Sequence, residues 1–269
     1  MRFSVSGRGV YAYTGSRAFD AARPTVMFVH GAAHDHGVFA LQSRYFAWHG
    51  MNAVAVDLPA HGRSDAPALA SVEAIADWLH AACDALGVER VHLVGHSLGA
   101  LAALECASRN PRRVARLALL GASAPMPVSD DLLAAAERND HVAYELINGW
   151  SFSAGGQLGG NTVPGVWMLG NSLRLMERTP DGVLANDLRA CNRYANGVEA
   201  ASRVQCPTLV IVGARDIMAP PRNAKALIAA LRDPQVVTLP DAGHALMAER
   251  PDAVLDALRA FIGSGALVT

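Results

Sequence analysis

The stretch Val91-His92-Leu93-Val94-Gly95-His96-Ser97-Leu98-Gly99-Ala100-Leu101-Ala102-Ala103-Leu104 decides the fold. It reads as an apolar strand, a sharp turn with a serine at its tip, and a helix of small residues. Its centre, Gly95 to Gly99, matches G-x-S-x-G. That pattern works through geometry. The turn holds the serine in a strained backbone conformation, and the flanking glycines leave room for close approach. The hydroxyl then stands at a helix N-terminus, where backbone N–H groups and the helix dipole favour an oxyanion. The pentapeptide alone also arises by chance, as a small residue in a tight strand–helix turn. A nucleophilic Ser97 needs a histidine and a carboxylate in a defined chain order.

Working outward, similar apolar runs recur at Thr25–Val29, Ala53–Val56, Leu117–Leu120, Leu209–Val212 and Val236–Leu239. Unbroken β-branched and leucine runs predict strands buried on both faces, hence a parallel sheet. Phe3–Ser6 and Val10–Thr14 read as an antiparallel edge hairpin. Helical patterns lie between the strands, at 38–49, 71–86, 98–108, 221–231 and 247–262. Strand–helix alternation with short links predicts a doubly wound α/β domain.

One interval breaks the rhythm. Between 124 and 203 there are helical patterns at Asp130–Asn148, Leu173–Glu177 and Gly182–Ala201, and a glycine-rich stretch from Ala154 to Gly170, but no parallel strand. The expected organisation is an α/β core from residues 1–123 and 204–269, with 124–203 as a mostly helical cap. The cap would cover the C-terminal ends of the strands, where open α/β sheets bind ligands. Trp150, Phe152, Trp167 and Met168 read either as the cap's own small core or as pocket wall, and His34 as pocket wall or loop. Arg174, Arg178, Arg189 and Arg193 are spaced like solvated helix faces.

The partners of Ser97 follow from the strand ends. Asp216 comes after the strand 209–212, in Gly213-Ala214-Arg215-Asp216; the preceding strand ends in Gly121-Ala122-Ser123-Ala124, without an acid. His244 follows the strand 236–239, in Asp241-Ala242-Gly243-His244, with Asp241 as an alternative acid. The order Ser97, Asp216, His244 is the one a nucleophile elbow requires. An oxyanion hole needs two N–H donors; the Leu98 amide and the Ala32 amide are the candidates, with His30 and Gly31 shaping the loop.

Composition narrows the chemistry. With 269 residues, 51% of them apolar, the chain can fill a two-sided core. The 23 basic and 24 acidic residues leave a net charge of −1 and no basic stripe, which argues against nucleic acid or an anionic membrane as partner. Lys225 is the only lysine, and its context suits neither a Ser-Lys dyad, a Schiff base nor a P-loop. Cys83, Cys106, Cys191 and Cys206 form no C-x-x-C pair and read as free thiols. His34-Asp35-His36 lacks the spacing of a metal pair, and no third ligand is evident, so neither metal nor cofactor is expected. No apolar run reaches the roughly 18 residues of a spanning helix, and Met1–Val5 lacks the apolar core of a signal peptide. A cytoplasmic enzyme acting on a small molecule is expected.

Val29-His30-Gly31, the turn Asp57-Leu58-Pro59-Ala60-His61-Gly62-Arg63-Ser64, the elbow Gly95–Gly99, Gly213–Asp216 and Gly243-His244 together resemble the α/β-hydrolase superfamily. Within it, the chain looks like bacterial serine hydrolases grouped with carboxylesterases and β-ketoadipate enol-lactone-type hydrolases. The resemblance implies hydrolysis of an ester or lactone through an acyl-enzyme, without a cofactor. C–C bond hydrolysis, perhydrolysis or acyl transfer would use the same triad, and a ligand-binding receptor could keep a slow one. Serine at 97 disfavours the relatives that use an aspartate nucleophile. Two departures, Ala60 where glycine is frequent and Ala32-Ala33 without the extra glycines of lipase-type loops, leave the substrate class open.

Overall fold

A computed structural model describes residues 1–160 and 165–263. Eight strands form one sheet: β1 (Arg2–Val5), β2 (Arg8–Tyr13), β3 (Thr25–Val29), β4 (Asn52–Val56), β5 (Val91–His96), β6 (Val114–Leu120), β7 (Thr208–Gly213) and β8 (Gln235–Leu239). Their spatial order is β1-β2-β4-β3-β5-β6-β7-β8. β1 and β2 form the antiparallel edge, and β3 to β8 run parallel. The helices of the core are α1 (Ala40–Trp48), α2 (Val72–Ala85) and α3 (Leu98–Arg109). Between β6 and β7 come α4 (Asp130–Glu137), α5 (Val142–Ser151), α6 (Ala154–Gln157), α7 (Met168–Met176), α8 (Val183–Arg193) and α9 (Gly197–Arg203). The chain continues with α10 (Pro221–Ala230), α11 (Leu246–Glu249) and α12 (Pro251–Gly263).

Period-2 alternation along the strands sorts the core into two layers. Met27, Val29, Val54, Val56, Leu93, Leu117, Leu119, Val210 and Val212 face α2, α3 and α10. Their neighbours Val26, Phe28, Ala53, Ala55, Val94, Ala118, Leu120, Leu209 and Ile211 face α1 and α12. A third cluster gathers Leu132, Ala135, Ile147, Met176, Leu184 and Leu188 from α4, α5, α7 and α8, together with Ala33 from the loop after β3. Among the described residues, no helix is long and apolar enough to cross a membrane.

Several sequence expectations need correction. The strand at 236–239 is not buried on both faces. β8 closes the sheet edge and has only β7 beside it, so Val236 is 45% exposed. The helical pattern 247–262 is two helices, because Pro251 has no N–H to continue α11 and instead starts α12. The pattern 130–148 breaks at Asn139, which takes a left-handed φ of 52° between α4 and α5. The pattern 182–201 divides into α8 and α9, and α9 packs against α3 and α10 rather than with the third cluster. Residues 161–164 of the expected glycine-rich stretch lie outside the described residues.

Candidate active site

β5 delivers the chain to Ser97, which sits between the last strand residue His96 and the first helical residue Leu98. Its φ of 54° and ψ of −121° are costly for a residue with a side chain, and the surroundings enforce them. A Cβ at Gly95 would overlap the Gly99 carbonyl, and one at Gly99 would overlap the Val29 and His30 carbonyls. The elbow is therefore built by backbone packed directly on backbone.

Asp216 and His244 come from the ends of β7 and β8, and the fold brings them together. Asp216 Oδ2 lies 2.7 Å from His244 Nδ1. Asp216 Oδ1 accepts the N–H groups of Met218 (2.9 Å) and Ala219 (2.8 Å). Burial pushes the Asp216 carboxyl up, but the His244 partner and the two amides outweigh it and hold its pKa below the ordinary carboxylate value. Asp241, the alternative acid, is exposed and faces Arg250 at 3.9 Å, away from His244. Ser97 and His244 line one cavity. The Ser97 hydroxyl points at Met126 Sδ, 3.9 Å away, and forms no hydrogen bond to His244 among the described residues. Catalytic hydrogen bonds of this kind often tighten only with substrate present.

His96 has a definite place beside His244. Burial drives its pKa far down, so the ring is neutral, and Nε2–H donates to the His244 carbonyl at 2.9 Å. Its Nδ1 has no partner among the described residues. His30 is also neutral: burial lowers its pKa to about 3. Its Nδ1–H donates to Gly31 O (2.8 Å) and its Nε2 accepts Leu58 N–H (3.1 Å), which fixes the loop after β3. Within that loop, the Ala32 amide donates to no protein group among the described residues, and neither does the Leu98 amide at the start of α3. Both stay available for a ligand oxygen.

Sequence reasoning missed a second carboxylate. Glu249 is fully buried. Its Oε2 accepts Gly243 N–H (2.5 Å) beside His244, while Oε1 accepts Ser153 N–H (3.0 Å) and Ser153 Oγ–H (2.5 Å). It thus ties the histidine loop to the segment between β6 and β7. No spacing rule marks it, since it lies on a short helix and its partner is far away in sequence.

The cavity above Ser97 has a volume of about 680 Å³. Met126, Ile147, Trp150, Phe152, Met168 and Met247 supply much of its wall, and His34 joins them. Among the described residues, no Asp, Glu, Lys or Arg lines it. Trp167 is the exception among the expected pocket residues. It is 70% exposed and does not line the cavity, because it precedes α7 and its ring folds outward over Gly170. Arg174, Arg178 and Arg189 face solvent and pair with Glu177, Asp35 and Glu137, and Arg193 is exposed.

Asp57 joins Asp35 and His36 in a cluster whose ligand atoms lie within 4.8 Å, a third group that sequence spacing does not show. The oxygens are already engaged. Asp57 Oδ1 accepts His36 N–H (2.8 Å) and Nδ1–H (2.7 Å), Oδ2 accepts Arg63 N–H (2.9 Å), and Asp35 Oδ1 accepts Gly37 N–H (2.7 Å). The cluster braces two loops.

Known proteins are similar to this chain. The family described as alpha/beta hydrolase fold matches residues 24–251. The pimeloyl-[acyl-carrier protein] methyl ester esterase of Chromobacterium violaceum is 30% identical over 230 residues, covering 82% of this chain and 87% of that protein. The crystal structure of the enol-lactonase from Burkholderia xenovorans LB400 superposes with a TM-score of 0.86 at 22% identity, covering 98% of this chain and all of the other. The esterase from Exiguobacterium antarcticum superposes with a TM-score of 0.84 at 17% identity, over 98% of this chain and 99% of the other. At these identities, the two structures speak for the fold alone.

Proposed function

The chain belongs to the alpha/beta hydrolase fold family and is a hydrolase; from that premise we propose that it cleaves uncharged, apolar carboxylic esters or lactones through an acyl-enzyme on Ser97. The observation that carries this reading is that His244, hydrogen-bonded to Asp216, stands on the wall of the same cavity as the strained Ser97. His244 Nε2 takes the Ser97 proton as Oγ attacks the carbonyl carbon. The Leu98 and Ala32 amides hold the oxygen as it gains charge. His244 then protonates the departing alcohol and later activates the water that releases the acid. Asp216 fixes the tautomer with Nδ1–H and stabilises the imidazolium.

The cap belongs to this proposal. The described residues from 124 to the end of α8 roof the site and select the substrate, with the boundary placed before α9. Because no Asp, Glu, Lys or Arg among the described residues lines the cavity, a substrate carboxylate near the scissile bond would be buried without a partner. That costs several kcal/mol. A cavity of about 680 Å³ accommodates a medium-sized neutral molecule.

A substrate panel tests the reading: p-nitrophenyl esters of graded acyl length, neutral lactones, carbamates and a carboxylate-bearing ester, alongside labelling by a fluorophosphonate. Stoichiometric labelling of Ser97 is expected. Neutral esters should be turned over at least about 100-fold faster than the charged one. Absence of labelling, or preference for the carboxylate, refutes the proposal; labelling with only one turnover identifies a ligand-binding receptor instead.

A further inference from the structure

Asp187 lies on α8 and is 2% exposed, with no solvent to satisfy it. Its Oδ2 accepts two hydrogen bonds from parts of the core distant in sequence: Ala33 N–H at 3.0 Å and His61 Nε2–H at 2.8 Å. The neighbouring Asn186 anchors the same helix by donating Nδ2–H to the Leu69 carbonyl at 2.8 Å. His61 Nδ1 faces the Pro59 carbonyl at 3.0 Å. Both ring nitrogens therefore meet acceptors, and only the imidazolium can donate to both. The titratable groups around this ring are Asp187 from α8 and Asp57 from the end of β4, with His30 and His34, whose pKa values burial lowers, from the β3 exit. Burial alone would discharge His61, but Asp187 outweighs it and raises its pKa.

Ala33 is held from its other side as well. Thr179 Oγ1–H, from the loop before α8, donates to the Ala33 carbonyl at 3.0 Å. Ala33 takes a φ of 54°, a left-handed conformation that costs an alanine energy and persists only when its surroundings enforce it. Its side chain is buried in the cluster formed by α4, α5, α7 and α8. One residue of the β3 exit loop is thus gripped at its N–H, its C=O and its methyl group by the segment between β6 and β7. The adjacent residue is Ala32, whose amide is free to meet an oxyanion.

We infer that Asp187 is a positioning residue for the reaction: through Ala33, and with Thr179 on the carbonyl side, it aims the Ala32 N–H at the oxygen that becomes negative. The inference rests on the acyl-enzyme reading above. Its physical content is that the helices roofing the site also set the geometry of the oxyanion hole. An aim of this kind acts where charge develops, so its loss lowers kcat and leaves ground-state binding nearly intact.

The test compares hydrolysis of p-nitrophenyl butyrate by the wild type, D187N and T179V, with fluorophosphonate titration of Ser97 in each. D187N should lower kcat about 10- to 100-fold with KM within about two-fold. T179V, which removes one hydrogen bond, should lower kcat about 3- to 10-fold. Spectra of ¹⁵N-labelled histidine at neutral pH should show both His61 nitrogens protonated in the wild type and a neutral ring in D187N. Wild-type kcat in folded D187N, or a raised KM at unchanged kcat, overturns the inference. Should D187N fail to fold, T179V decides, and an unchanged kcat there overturns it equally. A wild type that neither labels at Ser97 nor cleaves the ester defeats the acyl-enzyme reading itself. A labelled, active wild type with insensitive variants defeats only the positioning role.

Discussion

The sheet core and the segment between β6 and β7 solve different problems by different means. In the core, strand periodicity sends alternate residues to opposite layers, and the reactive groups sit at strand ends where backbone packs on backbone. In the segment, short helices surround a small cluster of their own, and their remaining side chains line the cavity. On the proposed reading, main-chain sterics would fix the reaction and the side chains that line the cavity would choose the substrate. Three buried carboxylates, Asp187, Glu249 and Glu105, are among the ties between the two regions, the last accepting Tyr194 Oη–H at 2.6 Å.

The sharpest break of this comparison is at the nucleophile. Ser97→Ala should reduce kcat about 10⁴- to 10⁶-fold while leaving the fold unchanged by circular dichroism. Activity within ten-fold of wild type would place the chemistry elsewhere. Next comes a pair of glycines, one from each region. Gly99→Ala drives a Cβ into the Val29 and His30 carbonyls, so we expect a loss of roughly 4 kcal/mol or more, seen as absent folded protein. Gly149→Ala on α5 meets nothing within 4 Å and should leave stability equal or higher by up to about 1 kcal/mol. Equal effects would erase the distinction between the regions.

Protons separate the regions with opposite signs. His30, His92 and His96 belong to the core, and burial lowers the pKa of each, to about 3 for His30 and about 4 for His92. Their folded values lie below the unfolded value of about 6.5. The unfolded chain therefore binds protons that the folded chain refuses, and stability falls as pH drops below that value. The limit is about 1.4 kcal/mol per pH unit for each histidine. His61, at the junction with α8, is raised. Its contribution is complete below the unfolded value and is lost as pH rises through the higher folded one. Urea titrations at pH 5, 7 and 9 should show the acid loss in the wild type, and H61N should flatten only the alkaline side. The smallest effect is expected at Trp167→Ala, with kcat/KM changed less than about two-fold and stability within about 0.5 kcal/mol, because the ring faces solvent. A large loss there would return Trp167 to the substrate path.

Legibility in the sequence follows the same division. The strands of the core announce themselves as continuous apolar runs, and Ser97, Asp216 and His244 are recoverable because each ends one of those runs. The exposure of β8 is not recoverable from its residues, since being at an edge is a property of topology. Whether Trp167 points in or out depends on how α7 seats itself, which no local pattern records. Asp187 and His61 are 126 positions apart, and Glu249 and Ser153 are 96 apart. Pairings at such distances exist only once the chain has folded, and these four residues are among those that tie the two regions together.

That no Asp, Glu, Lys or Arg among the described residues lines the cavity also bears on the end of the proposed catalytic cycle. Hydrolysis would turn a neutral ester into a carboxylate within a wall of thioethers, aromatic rings and aliphatic groups. Once the tetrahedral centre has collapsed and Ser97 has regained its proton from His244, the acid gives its own proton to His244 or to solvent; among the described residues no Lys or Arg lines the cavity to hold the resulting carboxylate, which gains hydration by leaving. A lining that would admit the proposed neutral substrate would thereby favour expulsion of its acid product, and turnover should proceed with little product inhibition.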